Sequence, residues 1–225
     1  MSVDWTEDEL RAAVEAYLEM AERDRRGEPL VKAPVYRELA GKFGRTRKAF
    51  EYRMQNISYV LTLMGRGWLP GLVPAKNVGM KVAAQIERLI TELEGRPSAP
   101  RAAEAIEVRE RLKRLPTAPP KGTAKPKASV TSVTIFARDP DVKAWVLARA
   151  AGKCEACSGP APFVTADDLP FLEVHHVRQL ADQGADLVTN AVALCPNCHR
   201  RLHYGKDAHE YREKLFQLVP ELTRE

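Results

Sequence analysis

Four cysteines and a run of histidines hold most of the reactive chemistry in this chain. Cys154-x-x-Cys157 and Cys195-x-x-Cys198 form two pairs with 37 residues between them, and together they use all four cysteines of the sequence. Four thiolates in two such pairs suit a tetrahedral Zn2+ cage, which is coordinatively closed and therefore structural. Redox-active pairs and an iron–sulfur cluster are the alternatives, but neither explains why two equal knuckles bracket histidines. Four of the five histidines, His175, His176, His199 and His203, lie between or just after these knuckles. An imidazole can act as a neutral metal ligand or, with an unperturbed pKa near 6.5, as a proton acceptor at neutral pH. Asn190 stands five residues before Cys195.

The elements around these residues decide where they point. Phe171–Val177 is a β-rich run, so His175 and His176 face opposite sides of a strand. Ala191–Leu194 reads as a second strand, with Gly184–Thr189 in the loop before it. Cys198-His-Arg-Arg-Leu-His203 reads as a short helix whose i, i+4 spacing puts His199 and His203 on one face. Asp139-Pro140 supplies an N-cap and a first-turn proline for a helix to about Ala151, and Gly152 stops it just before the first cysteine pair. The zinc cage would then tie that helix to the chain after Leu194.

The rest of the chain is organised differently. Leu115–Ser129 contains four prolines and three lysines with no acidic residue, and reads as an extended linker. We therefore expect an α+β protein: a helical, basic domain over 1–115, a linker over 116–130, and a zinc-stabilised domain over 131–225. In the first part, Thr6 and Glu9 form a capping-box pattern ahead of Leu10, Val14, Tyr17 and Leu18. A second helix is predicted from Pro34 to Ala40, and a third from an N-cap at Thr46 to about Ile57. The turn between them contains Gly41 and Gly44, the ingredients of a helix-turn-helix reader as well as of any three-helix bundle. Trp68–Pro74 should lie over the helices. Further helices are predicted from Asn77 to Glu94, with Val82, Ile86, Leu89 and Leu93 in phase, and from Arg101 to Leu115. Val130–Ala137 reads as a short strand or extended lead-in.

Hydrophobic content of 44% and charged content of 29% fit a globular protein. No apolar run approaches the ~20 residues of a membrane span, and no signal-peptide pattern opens the chain, so a cytoplasmic location is expected. The net charge of +5 is unevenly placed: residues 1–130 carry 24 basic against 17 acidic side chains, residues 131–225 carry 11 against 13. From Lys32 to Lys81 the count is ten basic to two acidic. That segment is the candidate polyanion-binding face, because phosphate neutralisation supplies most sequence-independent DNA affinity. A solvated basic surface is the plainer reading.

His-His, then Asn, then Cys-x-x-Cys-His-x-x-x-His resembles the HNH nucleases with a ββα-metal fold, over about residues 138–217. The resemblance implies that His175 is a metal ligand, that His176 is the general base, that Asn190 orients it, and that His199 and His203 complete the metal site. A cation held by three imidazoles, with positions left open, can bind a scissile phosphate and its leaving oxygen. Such a set suits Zn2+, Ni2+, Co2+ or Mn2+ better than Mg2+, although Mg2+ stays open as the cellular ion. Taken singly, each histidine and Asn190 has an ordinary surface or turn reading; the joint arrangement favours a nuclease centre. Glu173 and Asp186 are alternative additional ligands, but their positions read as strand and loop surface; His209 lies beyond the motif and is assigned no role. Candidate DNA contacts are Arg45, Arg47, Lys48 and Arg53 in the first part and Arg200 and Arg201 beside the metal helix.

Three stretches of the first part, Trp5-Thr-x-x-Glu-Leu, Phe50–Leu61 and Leu69–Asn77, resemble the N-terminal region of McrA-type modification-dependent restriction endonucleases. That implies a reader of methylated, hydroxymethylated or phosphorothioated double-stranded DNA, joined to the cutter. Tyr52, Tyr59 and Trp68 are the aromatic candidates around a modified base, with core packing as the plainer role. A nicking HNH nuclease of a phage or mobile element, and a non-catalytic zinc-containing DNA-binding protein, are the competing functions. Since one such centre cuts one strand, double-strand cleavage implies a homodimer on DNA.

Overall fold

The computed structural model describes residues 4–96, 101–114, 119–126, 128 and 136–224. Backbone contacts divide the chain into two compact units, Met1–Thr134 and Ile135–Glu225. Much of the expected linker, and the extended lead-in over 130–135, lies outside the described residues. Among the described residues no helix is long and apolar enough to cross a membrane.

Among the described residues the first unit contains five helices: α1 (Glu7–Arg25), α2 (Lys32–Phe43), α3 (Arg47–Leu63), α4 (Met80–Leu93) and α5 (Ala102–Leu112). The Thr6–Glu9 capping box is formed in both directions, with Thr6 N donating to Glu9 Oε2 at 2.7 Å and Glu9 N to Thr6 Oγ1 at 3.2 Å. Leu10, Val14 and Tyr17 of α1 meet Phe50, Met54 and Ile57 of α3 and Ile86, Leu89 and Ile90 of α4 in one core. Gly44, in the left-handed conformation, ends α2, and Thr46 caps α3 by accepting from Ala49 N.

Several boundaries differ from the sequence expectation. Helix α2 begins at Lys32, two residues before Pro34, because a proline in the first turn lacks only an N–H that has no helical partner there. Helix α3 runs past Ile57 to Leu63, since Ser58, Tyr59, Val60 and Leu61 are all buried. Helix α4 begins at Met80 rather than Asn77: Asn77 Oδ1 accepts from Asn56 Nδ2 at 3.0 Å and Ala75 N donates to Gln55 O at 3.0 Å, holding this stretch against α3. Leu93 is exposed, and Ile90 takes the place assigned to it in the core. The Trp68–Pro74 stretch does cover the helices, burying Leu69 and Leu72, and Leu69 N donates to the Tyr17 hydroxyl at 2.8 Å.

The second unit contains α6 (Pro140–Ala150), strand β1 (Glu173–His176), strand β2 (Ala191–Leu194), α7 (Pro196–Tyr204) and α8 (Ala208–Leu218), with single 3-10 turns at Leu180–Asp182 and Val188–Asn190. The strands pair antiparallel with His175 opposite Val192 and His176 opposite Ala191. β1 is four residues long, shorter than the expected run, while β2 has the predicted bounds. Helix α8 was not expected; its Tyr211 and Leu215 close the core formed by Val146, β2 and Leu202.

Candidate metal centre and catalytic histidine

The strand alternation sends the two adjacent histidines to different partners. His175 faces α7, where its ring centroid lies 5.0 Å from those of His199 and His203, and those two rings lie 4.9 Å apart. One ring nitrogen from each comes within 4.8 Å of the other two. His203 Nε2 and His199 Nε2 are 3.2 Å apart. His175 is 4% exposed, and its Nε2 is buried without a hydrogen-bond partner. Burial, and then the positive character of His203, His199 and Arg212 around it, hold its pKa well below the ordinary value, so the ring is neutral.

This geometry is what a cation site requires. An orphaned buried imidazole nitrogen is costly, and converging nitrogen lone pairs repel one another unless a cation lies between them. The outer nitrogens have polar partners: Glu173 Oε2 contacts His199 Nδ1 at 2.6 Å, and the Gln179 amide lies 3.3 Å from His203 Nδ1, where its Oε1 must face the ring for His203 Nε2 to ligate. A proton on His199 Nδ1, donated to Glu173, leaves Nε2 as the ligand atom, the carboxylate–histidine pattern of metal sites. The three residues therefore fit a divalent cation of the nitrogen-preferring kind.

His176, 6% exposed, turns the other way. Its Nε2 meets Asp186 Oδ1 at 2.6 Å, and Asp186 Oδ2 accepts from Asp139 N at 2.6 Å. Burial pushes the Asp186 carboxyl upward, but the Asp139 N–H and the His176 ring outweigh it and hold the group below its ordinary pKa. The expected partner of the ring, Asn190, lies elsewhere. Asn190 Oδ1 accepts from Arg178 N at 2.8 Å, and its Nδ2 donates to Arg178 O at 3.0 Å and Ala185 O at 2.8 Å. Its amide thus fixes the backbone two residues after His176 and one before Asp186, an indirect orientation in place of the direct one expected. Gly184 runs so close to this point that a Cβ there would sit 2.0 Å from Arg178 O.

Sequence reasoning placed Glu173 and Asp186 on the surface, and the structure corrects both. For Glu173 a signal existed, since a residue two before His175 on a strand shares its face. For Asp186 none did, because the contact depends on how the loop folds back.

The four cysteine sulfurs also cluster within 4.8 Å of one another, a fit to the tetrahedral thiolate cage expected for zinc. Tyr211 OH donates to Cys198 Sγ at 3.0 Å, so α8 reaches the cage directly. Arg149 of α6 grips Glu155 with Nε–Oε1 at 2.8 Å and Nη2–Oε2 at 3.1 Å, while Ala193 N of β2 donates to Glu155 Oε2 at 2.7 Å. The first knuckle is thereby locked to both α6 and β2.

The candidate DNA-binding side chains divide. Arg47, Lys48 and Arg200 are exposed. Arg45 is committed to Glu9, with contacts of 2.6 and 2.9 Å, and Arg201 to Asp207 and the Tyr211 ring. Arg53 is half-buried against Trp5. Of the aromatic candidates, Tyr59 is buried and its hydroxyl accepts from Arg109 at 2.8 Å; Trp68 is half-buried and Tyr52 exposed.

An antiparallel strand pair leading into a helix, with a histidine cluster across the two and four clustered cysteines, is the arrangement expected of a ββα-metal domain. Residues 154–205 match the family model described as HNH endonuclease, so the second unit carries an HNH domain. The chain is 48% identical over 105 residues to the type IV methyl-directed restriction enzyme EcoKMcrA of Escherichia coli (strain K12), a match covering 47% of this chain and 38% of that protein. It is also similar, at 38% identity and a TM-score of 0.34, to the solved structure of the type IV phosphorothioation-dependent restriction endonuclease ScoMcrA, over 36% of this chain and 17% of that one. The chain thus spans well under half the length of each of these relatives.

Proposed function

We propose that the protein is a DNA endonuclease that hydrolyses phosphodiester bonds at the His175–His176–Asn190–His199–His203 centre and restricts modified foreign DNA. The observation that carries this reading is the division of labour in one strand: a buried, partnerless His175 nitrogen facing two more imidazoles, and a neighbouring His176 held by a carboxylate. His175, His199 and His203 would hold the divalent ion. When bound, that ion supplies electrophilic stabilisation of the phosphate and the leaving oxygen.

His176 is the base. With Nε2–H donated to Asp186, the lone pair resides on Nδ1, which takes the proton of the attacking water. Asp186 fixes that tautomer and stabilises the imidazolium once the proton arrives. Asp139 N holds the carboxylate in turn, and Asn190 fixes the backbone on both sides of the pair. Cys154, Cys157, Cys195 and Cys198 hold a structural zinc that keeps β2 and α7 in register with α6. Arg200 and the exposed Arg47 and Lys48 contribute phosphate contacts, with the basic first unit as the principal DNA-binding part.

Similarity to a methyl-directed relative favours methylated cytosine as the modification read; a phosphorothioate backbone is the competing one. The test is a cleavage panel on one plasmid, unmodified, methylated, hydroxymethylated or phosphorothioated, in Mg2+, Mn2+, Co2+ and Ni2+. Cleavage confined to one modified form is expected, and equal cutting of all four sinks modification dependence. His176→Ala should lose about 10³-fold in cleavage rate with DNA binding retained. Failure of the wild type to cut any substrate with any of these ions would leave a zinc-containing binding protein instead.

A further inference from the structure

The less exposed arginines of this protein mostly carry a carboxylate. Arg45 has Glu9 at 2.6 Å, Arg66 has Glu94 at 2.8 Å, and Arg149 has Glu155 at 2.8 Å. Arg53 on α3 breaks this pattern, as does Arg212 in the second unit. Among the described residues no carboxylate lies within ion-pair distance of Arg53. Its one polar contact among the described residues is a long one, from Nη1 to Asn56 Oδ1 at 3.3 Å, and its Nε is buried with no partner. The guanidinium lies 4.4 Å from the Trp5 ring, which Arg45 also approaches at 4.6 Å. The indole thus carries two cations, while Glu9 pairs directly with Arg45 and acts on Arg53 only from beyond ion-pair distance. Burial, and then repulsion from Arg45, push the Arg53 pKa down to about 10.

A half-buried cation without a counter-ion is destabilising on its own account. The planar fork of a guanidinium on an aromatic face is well suited to a tetrahedral oxyanion. Five residues before Arg53, at the start of the same helix, stands exposed Lys48, with exposed Arg47 beside it.

We propose that Arg53, stacked on Trp5 beside the Arg45–Glu9 pair, is the binding site for a backbone phosphate of the DNA held by the first unit. The proposal rests on the reading that this unit binds DNA. It makes Arg53 a contact that positions the duplex without reading its sequence or modification. Arg47 and Lys48 then lie along the same backbone as exposed, less specific contacts.

Arg53→Met keeps the apolar stem on Trp5 and removes the charge. In the full chain carrying His176→Ala, it should weaken duplex binding about tenfold, equally for modified and unmodified DNA. It should also lower the slope of log K against log salt by about 0.9, the value of one phosphate contact. The melting temperature should hold or rise, because an unpaired buried cation is gone; a merely structural arginine would lower it without changing the salt slope.

The paired variant Arg47→Gln with Lys48→Gln separates two failures. If that pair weakens binding and Arg53→Met does not, the Arg53 site is wrong and the first unit still binds DNA. If neither weakens it, both readings fall. Should Arg53→Met not fold, the wild-type Arg53 Nε–H resonance, assigned by its absence from Arg53→Lys, decides. A shift on adding duplex supports the site, while no shift, or a shift with inorganic phosphate alone, overturns it.

Discussion

Tyr17, Phe50, Met54, Ile57, Ile86 and Leu89 are fully buried side chains of the first unit, whereas the second unit contributes only Leu194 to the twelve largest such side chains among the described residues. What the second unit has instead is polar and sulfur-based: four clustered cysteines, the Arg149–Glu155 grip, the Asn190 amide on two backbone segments, and carboxylates on His176 and His199. The first unit is stabilised by burying apolar area. The second, about 90 residues long, uses directional bonds that place atoms precisely but stabilise little by themselves. The difference follows from the task. A site of the proposed kind must hold charged and polar groups half-buried, and a small domain that does so needs a covalent or metal staple.

The sharpest way to break this comparison is to remove the staple. Structural zinc contributes on the order of 10 kcal/mol to small metal-dependent domains. Cys198→Ser, or a strong chelator, should therefore unfold the second unit and leave the first intact. Hydrogen exchange resolved by segment checks this: protection is expected to vanish over β1, β2 and α7 and to persist over α1, α3 and α4. Loss of protection in both units together would show that the first does not stand on its own core.

A smaller change sharpens the same contrast inside the second unit. Gly184→Ala puts a Cβ 2.0 Å from Arg178 O and 3.0 Å from Asn190 Nδ2, backbone and amide that cannot yield cheaply. The loop must move, and Asp186 with it. We expect about 3 kcal/mol of destabilisation, in the range of mutations that break a buried hydrogen-bond network. The histidine cluster lies on the other face of β1, so metal affinity measured by calorimetry should stay near the wild-type value while cleavage falls at least as far as in Asp186→Asn. Loss of metal binding in parallel with cleavage would mean that the two sides of β1 are one mechanical unit.

How much of this was legible without coordinates divides along the same line. The cysteine knuckles, the opposite facing of His175 and His176, and the pairing of His199 with His203 on α7 all follow from spacings of two, three and four residues, which secondary structure converts directly into geometry. The Thr6 capping box is legible for the same reason. Asp186 was not, since its contact with His176 spans ten residues of loop and depends on Gly184 and Asn190 folding that loop back. Asn190 was legible as a site residue but not as a backbone clamp, because residue type says nothing of which partner an amide will find. Helix α8 was passed over because its sequence is mostly charged and only Tyr211 and Leu215 are buried. In the first unit the errors were of extent: the period drifts, so that Ile90 and not Leu93 faces inward, and tertiary burial carries α3 beyond its expected end.

The smallest effect tests one of the first unit's buried ion pairs. Glu9 caps α1 through Thr6 N and takes Arg45 in two contacts of 2.6 and 2.9 Å. Hydrogen bonding from Arg45, then the Thr6 N–H, outweigh burial and hold its pKa below the ordinary 4.5. A carboxyl depressed in the folded state contributes fully above its unfolded pKa and loses that contribution as pH falls through the folded value. The melting temperature of the first unit should therefore be flat above about pH 5 and decline below about pH 4.5, the reference for an unperturbed glutamate. Glu9→Gln should lower stability at neutral pH by about 2 kcal/mol, less than for a fully buried pair because Arg45 keeps some solvent contact. It should also remove most of the acid-side decline. With Trp145→Phe, the two remaining tryptophans, Trp5 beneath Arg45 and Trp68, both report on the first unit alone. If Glu9→Gln melts as the wild type does at neutral pH, the first unit is held by its apolar core alone. If it loses far more than the pair can supply, the Glu9 capping box is as essential to the first unit as the cysteine cluster is to the second, and the contrast between the two units dissolves.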